Sequence, residues 1–339
     1  MNHHRPLTDR ASSYTRQAFA IAILLVVSAL TGCRPTDAVG RSRSDADHND
    51  STKGDAFKAL GLQQLEAGNY NDAYVAFKHA AALTGDDYDI AWGMAQVNSK
   101  LGDDIEALDW INQALSLQPE SAEVLELKGR TLLRLARFTE AIGVLERTVQ
   151  THPDNTVAWL NLSAAYDATK QPDKSMDAAR SAITSAPDAP IPYFAMGDIY
   201  LQREQLAEAE KQYRLALEKD SAHAASYLRL AALYIRQNKD LDQARTWAIK
   251  SEELDPGDGS AASAAAWVLF LQDRKVEAVK EMAKTAEAHP QNYHIWMRLG
   301  HILDDMGDKE MAQQAFDTGA RFAPRGVRSA VADDKQDSQ

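Results

Sequence analysis

The stretch from Pro190 to His223 shows how this chain distributes apolar and polar positions. Tyr193, Met196, Gly197 and Tyr200 stand at i, i+3, i+4 and i+7, which puts them on one face of a helix. Arg203-Glu204-Gln205 is a polar break. A second helical face follows, carried by Ala209, Tyr213, Ala216 and Leu217. The pattern predicts two amphipathic helices joined by a turn. One such pair cannot bury its own apolar faces, so it needs neighbours of the same kind.

The neighbours are present, because the pattern returns with a period of 34 residues. A small residue recurs at Gly61, Ala95, Gly129, Ser163, Gly197, Ala231, Ala266 and Gly300, with six intervals of 34 and one of 35. A second series runs Ala73, Ala107, Ala141, Ser175, Ala209, Ala244, Ala278 and Ala312. A third consists of Pro119, Pro153, Pro187, Pro256, Pro290 and Pro324, with Ser221 where another proline is due. Small residues such as Gly197 and Ala209 predict a close crossing of paired helices. Proline cannot continue a helix, so the third series marks where each second helix ends. Three series in phase identify an internal repeat, and the period selects helix-turn-helix arrays.

The residues at these offsets resemble the tetratricopeptide repeat. The match is strong in Trp159…Leu162…Tyr166, in Trp296…Leu299-Gly300…Ala312…Phe316…Pro324, and in Phe57…Leu60-Gly61…Ala73…Phe77. It is weaker in the second repeat, where Ala91 and Asn98 replace the two aromatics, and in the alanine-rich seventh, from Ala261 to Ala266. The sixth repeat has one extra residue between Gln237 and Leu241, which accounts for the single longer interval. The resemblance implies an all-α fold: a right-handed superhelical solenoid of about eight repeats over residues 54–324, with a concave inner surface and close to one superhelical turn.

Residues 1–32 read as an address rather than as part of the fold. Arg5, Arg10 and Arg16 precede an apolar run from Ala18 to Leu30, too short for a membrane-spanning helix but suited to a signal-peptide core. Leu30-Thr31-Gly32-Cys33 resembles a bacterial lipobox, and Cys33 is the only cysteine. The resemblance implies cleavage after Gly32 and lipidation of Cys33, a stable anchor once several acyl chains are attached. Arg34, in place of an aspartate, implies the periplasmic face of the outer membrane. An ordinary signal peptide ending near a cysteine and an uncleaved anchor are the alternative readings. Residues 33–53 carry the lipidated cysteine and a polar segment expected to be a disordered tether, about 25 Å long on the random-coil estimate. Residues 325–339 are expected to be a disordered tail.

Charge narrows the partners. The chain carries a formal net charge of −12, and cleavage after Gly32 would bring it near −14. That argues against nucleic acid and against lying flat on anionic lipid. No catalytic constellation stands out. Gly257-Asp258-Gly259-Ser260-Ala261-Ala262 fits a dinucleotide fingerprint but follows a helix rather than a strand, so it reads as a loop. Asp304, Asp305 and Asp308 lack the spacing of a calcium loop. His294 and His301 share a helical face without a third ligand. No cofactor, metal or enzymatic activity is expected.

In the resembled family the first helix of each repeat lines the inner surface. That implies a partner-binding groove containing Trp92, Arg130, Leu160, Asn161, Phe194, Leu228, Arg229, Trp267, Phe270 and Met297, flanked by Gln96, Asp198 and His301. Apolar and aromatic side chains in such a row suit a bound peptide or helix. The chaperone-adaptor carboxylate clamp of this family is not expected: Lys58 is well placed, but Leu62 and Leu127 occupy neighbouring places that need polar residues. The expected function is a non-enzymatic scaffold at the outer membrane that supports assembly of a pilus or secretion apparatus. An adaptor for cell-wall hydrolases or synthases, a component of polysaccharide or surface-protein export, and a homo-oligomer are the alternatives.

Overall fold

The computed structural model describes residues 43–324, and every regular element among them is an α-helix. The expected signal peptide, Cys33, the tether up to residue 42 and the tail lie outside the described residues. The helices fall into two compact units that divide between Arg137 and Phe138. The first unit holds α1 (Arg43–Glu66), α2 (Tyr70–Thr84), α3 (Tyr88–Leu101), α4 (Asp104–Leu117) and α5 (Ala122–Arg134). The second holds α6 (Phe138–Thr151), α7 (Thr156–Ala168), α8 (Pro172–Ser185), α9 (Pro190–Gln202), α10 (Leu206–Lys219) and α11 (Ala224–Gln237). It continues with α12 (Leu241–Leu254), α13 (Ser260–Leu271), α14 (Lys275–Ala288), α15 (Tyr293–Asp305) and α16 (Lys309–Phe322).

Within each unit every helix packs on the next one in sequence. First helices of successive repeats also touch directly, as α1 with α3, α7 with α9, α11 with α13 and α13 with α15. This is the nearest-neighbour packing that the repeat predicts. One boundary differs from the sequence reading. The helix α1 begins at Arg43, ahead of Gly54, so residues 43–53 continue a helix where a disordered tether is expected. Adding residues to a helix already nucleated and packed costs far less than starting one.

The small-residue series has a specific cause. A Cβ built on Gly197 would lie 2.5 Å from the ring of Tyr213, on Gly61 2.7 Å from Phe77, and on Gly300 2.5 Å from Phe316. In each case the ring on the second helix fills the space over the glycine on the first. Where the small residue is alanine, the partner place holds a non-aromatic side chain: Ile111 after Ala95 and Met282 after Ala266. In the fourth repeat Ser163 donates to the carbonyl of Ser175 at 2.9 Å, and Ala179 takes the partner place.

The turns repeat as faithfully. The residue that ends the first-to-second helix turn is left-handed in every repeat: Gly68, Gly102, Ala136, Lys170, Glu204, Asn238, Asp273 and Gly307. Five of these are not glycine. The extra residue of the sixth repeat gives its turn a second left-handed residue, Asp240. Each proline of the series stands two residues beyond the end of a second helix, as Pro119 does after α4 and Pro187 after α8.

Candidate partner-binding surfaces

In the first unit, Trp92 and Gln96 on α3 and Arg130 on α5 come together. They share a cleft of about 280 Å³ with Leu65, Lys100, Glu123, Glu126 and Leu127. The fold brings them together simply: Trp92 and Gln96 are one helical turn apart, and Arg130 is one repeat after Gln96. Trp92 stays half-exposed because its neighbours Ala91 and Ala95 form the buried face. Lys58 is not presented for a ligand. Its Nζ donates to Asp87 at 2.8 Å, and Asp87 also caps α3 by accepting from the backbone N–H of Ile90 at 3.1 Å. Burial works to raise the Asp87 pKa, but the hydrogen bonds from Lys58 and Ile90 prevail and hold it below the ordinary carboxylate value.

In the second unit the expected residues form two clusters, with Leu160, Asn161 and Met297 outside them. The first cluster joins Phe194, Asp198, Leu228 and Arg229. Tyr213 donates its hydroxyl to Asp198 at 2.7 Å, and Arg229 Nε donates to the same oxygen at 3.0 Å. The Phe194 ring lies 5.7 Å from Tyr213 and 5.2 Å from His223. Arg229 stands 5.9 Å from the Phe194 centroid, and Leu228 and Phe194 both pack against the core of α10–α13. Burial outweighs the nearby Asp220 carboxylate and lowers the His223 pKa.

The second cluster contains Trp267 and Phe270, whose rings lie 4.9 Å apart and remain half-exposed. Arg298 stands 5.8 Å from the Trp267 ring. Met297 turns the other way, with its sulfur against Gly319 on α16. Leu160 and Asn161 stay half-buried on α7, and the Asn161 amide nitrogen is buried without a hydrogen-bond partner among the described residues.

The residues weighed for other chemistry have local roles. Asp258 accepts from the backbone N–H of Ser260 at 3.0 Å, and Gly259 caps α13 with φ 78°. Asp304 pairs with Lys309 and Asp305 with Lys275, each at 2.7 Å, while Asp308 caps α16. His294 stacks on Tyr293 and His301 meets Phe316 edge-on. Among the described residues no three His, Cys, Asp or Glu side chains gather as a metal site, and no helix is long and apolar enough to cross a membrane.

The sequence reading missed two features. The aromatic that opens several first helices turns its polar tip back to the loop. Trp159 donates to the carbonyl of Pro153, Tyr193 to Pro187 and Trp296 to Pro290, each at 2.9 Å, and Tyr227 donates to Ser221 at 3.2 Å. The constant interval of six residues was the available signal. The other is a cleft of about 460 Å³ lined by Trp159, Tyr166, Lys174, Asp177 and Glu146. There Tyr166 donates to Glu146 at 2.5 Å. Burial and that carboxylate push the tyrosine pKa up to about 12. Glu146 belongs to the preceding repeat, so no local spacing announces the pair.

Comparison with known proteins agrees with this architecture. Tetratricopeptide repeat models match residues 127–190, 194–259 and 293–325. A model described as anaphase-promoting complex, cyclosome, subunit 3, matches residues 66–148. The type IV pilus assembly protein PilF of Pseudomonas aeruginosa is 24% identical over 243 residues, spanning 70% of this chain and 94% of that protein. Cellulose synthase 1 operon protein C of Komagataeibacter xylinus is 24% identical over 209 residues, 58% of this chain but only 16% of its own length. Among solved structures, a tetratricopeptide repeat protein from Parabacteroides merdae superposes with a TM-score of 0.56 at 17% identity, covering 72% of this chain and 96% of that one. The Pseudomonas aeruginosa PilF structure gives 0.50 at 22% identity, over 62% of this chain and 96% of that one.

Proposed function

Since this chain is a tetratricopeptide repeat protein, we propose that it is a non-enzymatic scaffold that binds protein partners through the first helices of its repeats. It acts in the bacterial envelope, lipid-anchored through Cys33 at the outer membrane, and supports assembly of a pilus or secretion apparatus. The observation that carries the pilus reading is the alignment with PilF, which runs over 94% of that protein's length. The half-exposed aromatics Trp92, Phe194 and Trp267 support binding through the first helices. They offer large contact area at small cost in side-chain entropy.

The test is a crosslinking pull-down from membranes, comparing the native protein with a Trp92→Ala, Phe194→Ala, Trp267→Ala triple variant. A deletion strain complemented with each form is scored for surface pili by electron microscopy. Loss of one partner and of pili with the triple variant supports the reading; unchanged partners and pili refute it. The anchor is tested by labelling with an alkyne fatty acid, which native protein should incorporate and Cys33→Ala should not.

A second reading, polysaccharide export, is favoured by the similarity to cellulose synthase 1 operon protein C. It predicts that the deletion strain keeps its pili and loses exopolysaccharide.

A further inference from the structure

The repeat supplies its own internal comparison. Arg229 and Arg298 occupy the same place in their repeats, each two residues before a member of the small-residue series. Arg229 finds a carboxylate one repeat earlier, Asp198, at 3.0 Å. The corresponding place one repeat before Arg298 holds Trp267. Among the described residues Arg298 therefore stands 5.8 Å from an aromatic ring and donates a single hydrogen bond, to the Ser263 hydroxyl at 2.9 Å.

A guanidinium has five N–H donors, and its charge is costly to bury without a counter-charge. Arg298 is half-buried, and among the described residues no carboxylate pairs with it. Burial holds its pKa below the usual arginine value, with no acid acting in the other direction. It remains a cation whose partner has been replaced by an indole. Beside it Trp267 and Phe270 present two half-exposed rings, 4.9 Å apart.

We infer that Arg298, Trp267 and Phe270 form a receptor for a peptide carboxylate flanked by an apolar side chain. The inference rests on the peptide-binding reading above and names the chemistry of what is bound. The carboxylate meets the guanidinium N–H groups that the Ser263 hydroxyl does not take, and its apolar neighbour lies on the two rings. A guanidinium holds a carboxylate through two parallel hydrogen bonds, which fixes its direction as well as its position. The chain's net charge of −12 repels acidic segments at a distance, so the attraction is confined to contact range. This site uses one arginine and an aromatic wall, unlike the Lys, Asn and Arg set on successive helices of chaperone adaptors.

The test uses three dye-labelled heptapeptide pools with randomised apolar flanks, measured by fluorescence anisotropy. The first pool has a central glutamate and an amidated end. The second has glutamine and an amidated end. The third has glutamine and a free terminal carboxylate. The expected result is binding of the first or third pool about tenfold tighter than the second, which also tells side-chain from terminal carboxylate. Arg298→Gln should abolish that preference and leave the neutral pool unchanged, Arg298→Lys should keep part of it, and Arg229→Gln should leave it intact. Circular dichroism melts establish that each variant is folded. Equal binding of all three pools, or a preference that survives Arg298→Gln, overturns the inference while leaving peptide binding in place. Binding of none overturns both.

Discussion

Gly197 lies directly under the ring of Tyr213, with space for a hydrogen and none for a methyl group. Tyr213 is fully buried and its hydroxyl is fixed on Asp198, so the ring cannot swing aside. Gly197→Ala should therefore destabilise the protein by about 1–3 kcal/mol through overpacking. Pairing it with Tyr213→Ile, which copies the Ala95 and Ile111 arrangement, should recover part of the loss. A double-mutant cycle by urea unfolding measures the coupling, and additive costs would show that the ring is not what excludes the methyl.

Ser221 stands where the proline series is interrupted, and the backbone is ready for proline. Asp220, the residue before it, is extended at φ −144° and ψ 104°, which a following proline requires. The carbonyl of Ser221 already accepts from Tyr227, as the carbonyl of Pro187 does from Tyr193. Ser221→Pro should stabilise by about 0.4–1 kcal/mol by restricting the unfolded chain. A thermal melt that moves down would show that the local backbone differs from its proline-bearing counterparts.

Lys170 and Glu204 hold left-handed conformations at φ 58° and 59° in turns where Gly68, Gly102 and Gly307 do so without strain. Lys170→Gly should stabilise by up to about 1 kcal/mol, the relief of strain exceeding the added entropy of the unfolded chain. Gly102→Ala should lose a similar amount. Amide hydrogen exchange in the flanking helices reads both changes locally.

Glu210 accepts from the Tyr234 hydroxyl at 2.7 Å, from Arg214 at 2.9 Å and from Lys239 at 3.2 Å. Burial works to raise its pKa, but these three donors prevail and hold it below the ordinary value of 4.5. A carboxyl depressed on folding adds stability above its unfolded pKa and loses it as pH falls through the folded one. Native protein should thus lose stability more steeply below about pH 4.5 than Glu210→Gln. The variant should be weaker by about 1–2 kcal/mol at pH 7. Parallel urea titrations at pH 7 and below check both, and identical pH slopes would remove Glu210 from the acid response.

The periodic features of the fold were legible because each depends on residues at fixed separation in one stretch of chain. Gly197 with Tyr213, Pro187 after α8, and the extra turn residue near Asn238 are of this kind. Features that depend on which side chain one repeat offers another were not. Lys58 reads as a free cation until Asp87 is placed beside it. Met297 reads as surface-facing until Gly319 leaves room for its sulfur on α16. Arg229 and Arg298 look equivalent in sequence, and only the choice of Asp198 or Trp267 one repeat earlier separates a paired charge from an unpaired one. The helical start at Arg43 was hidden because polar residues extend a packed helix without any apolar signal.

Within the longer unit each helix rests on its neighbours in sequence, and no strand ties distant parts together among the described residues. A chain built this way yields to tension a helix pair at a time rather than all at once. Anchored at one end and loaded at the other, it would lengthen in small steps and take them back when the load is removed. An array of this kind behaves as a reversible spring rather than a rigid strut.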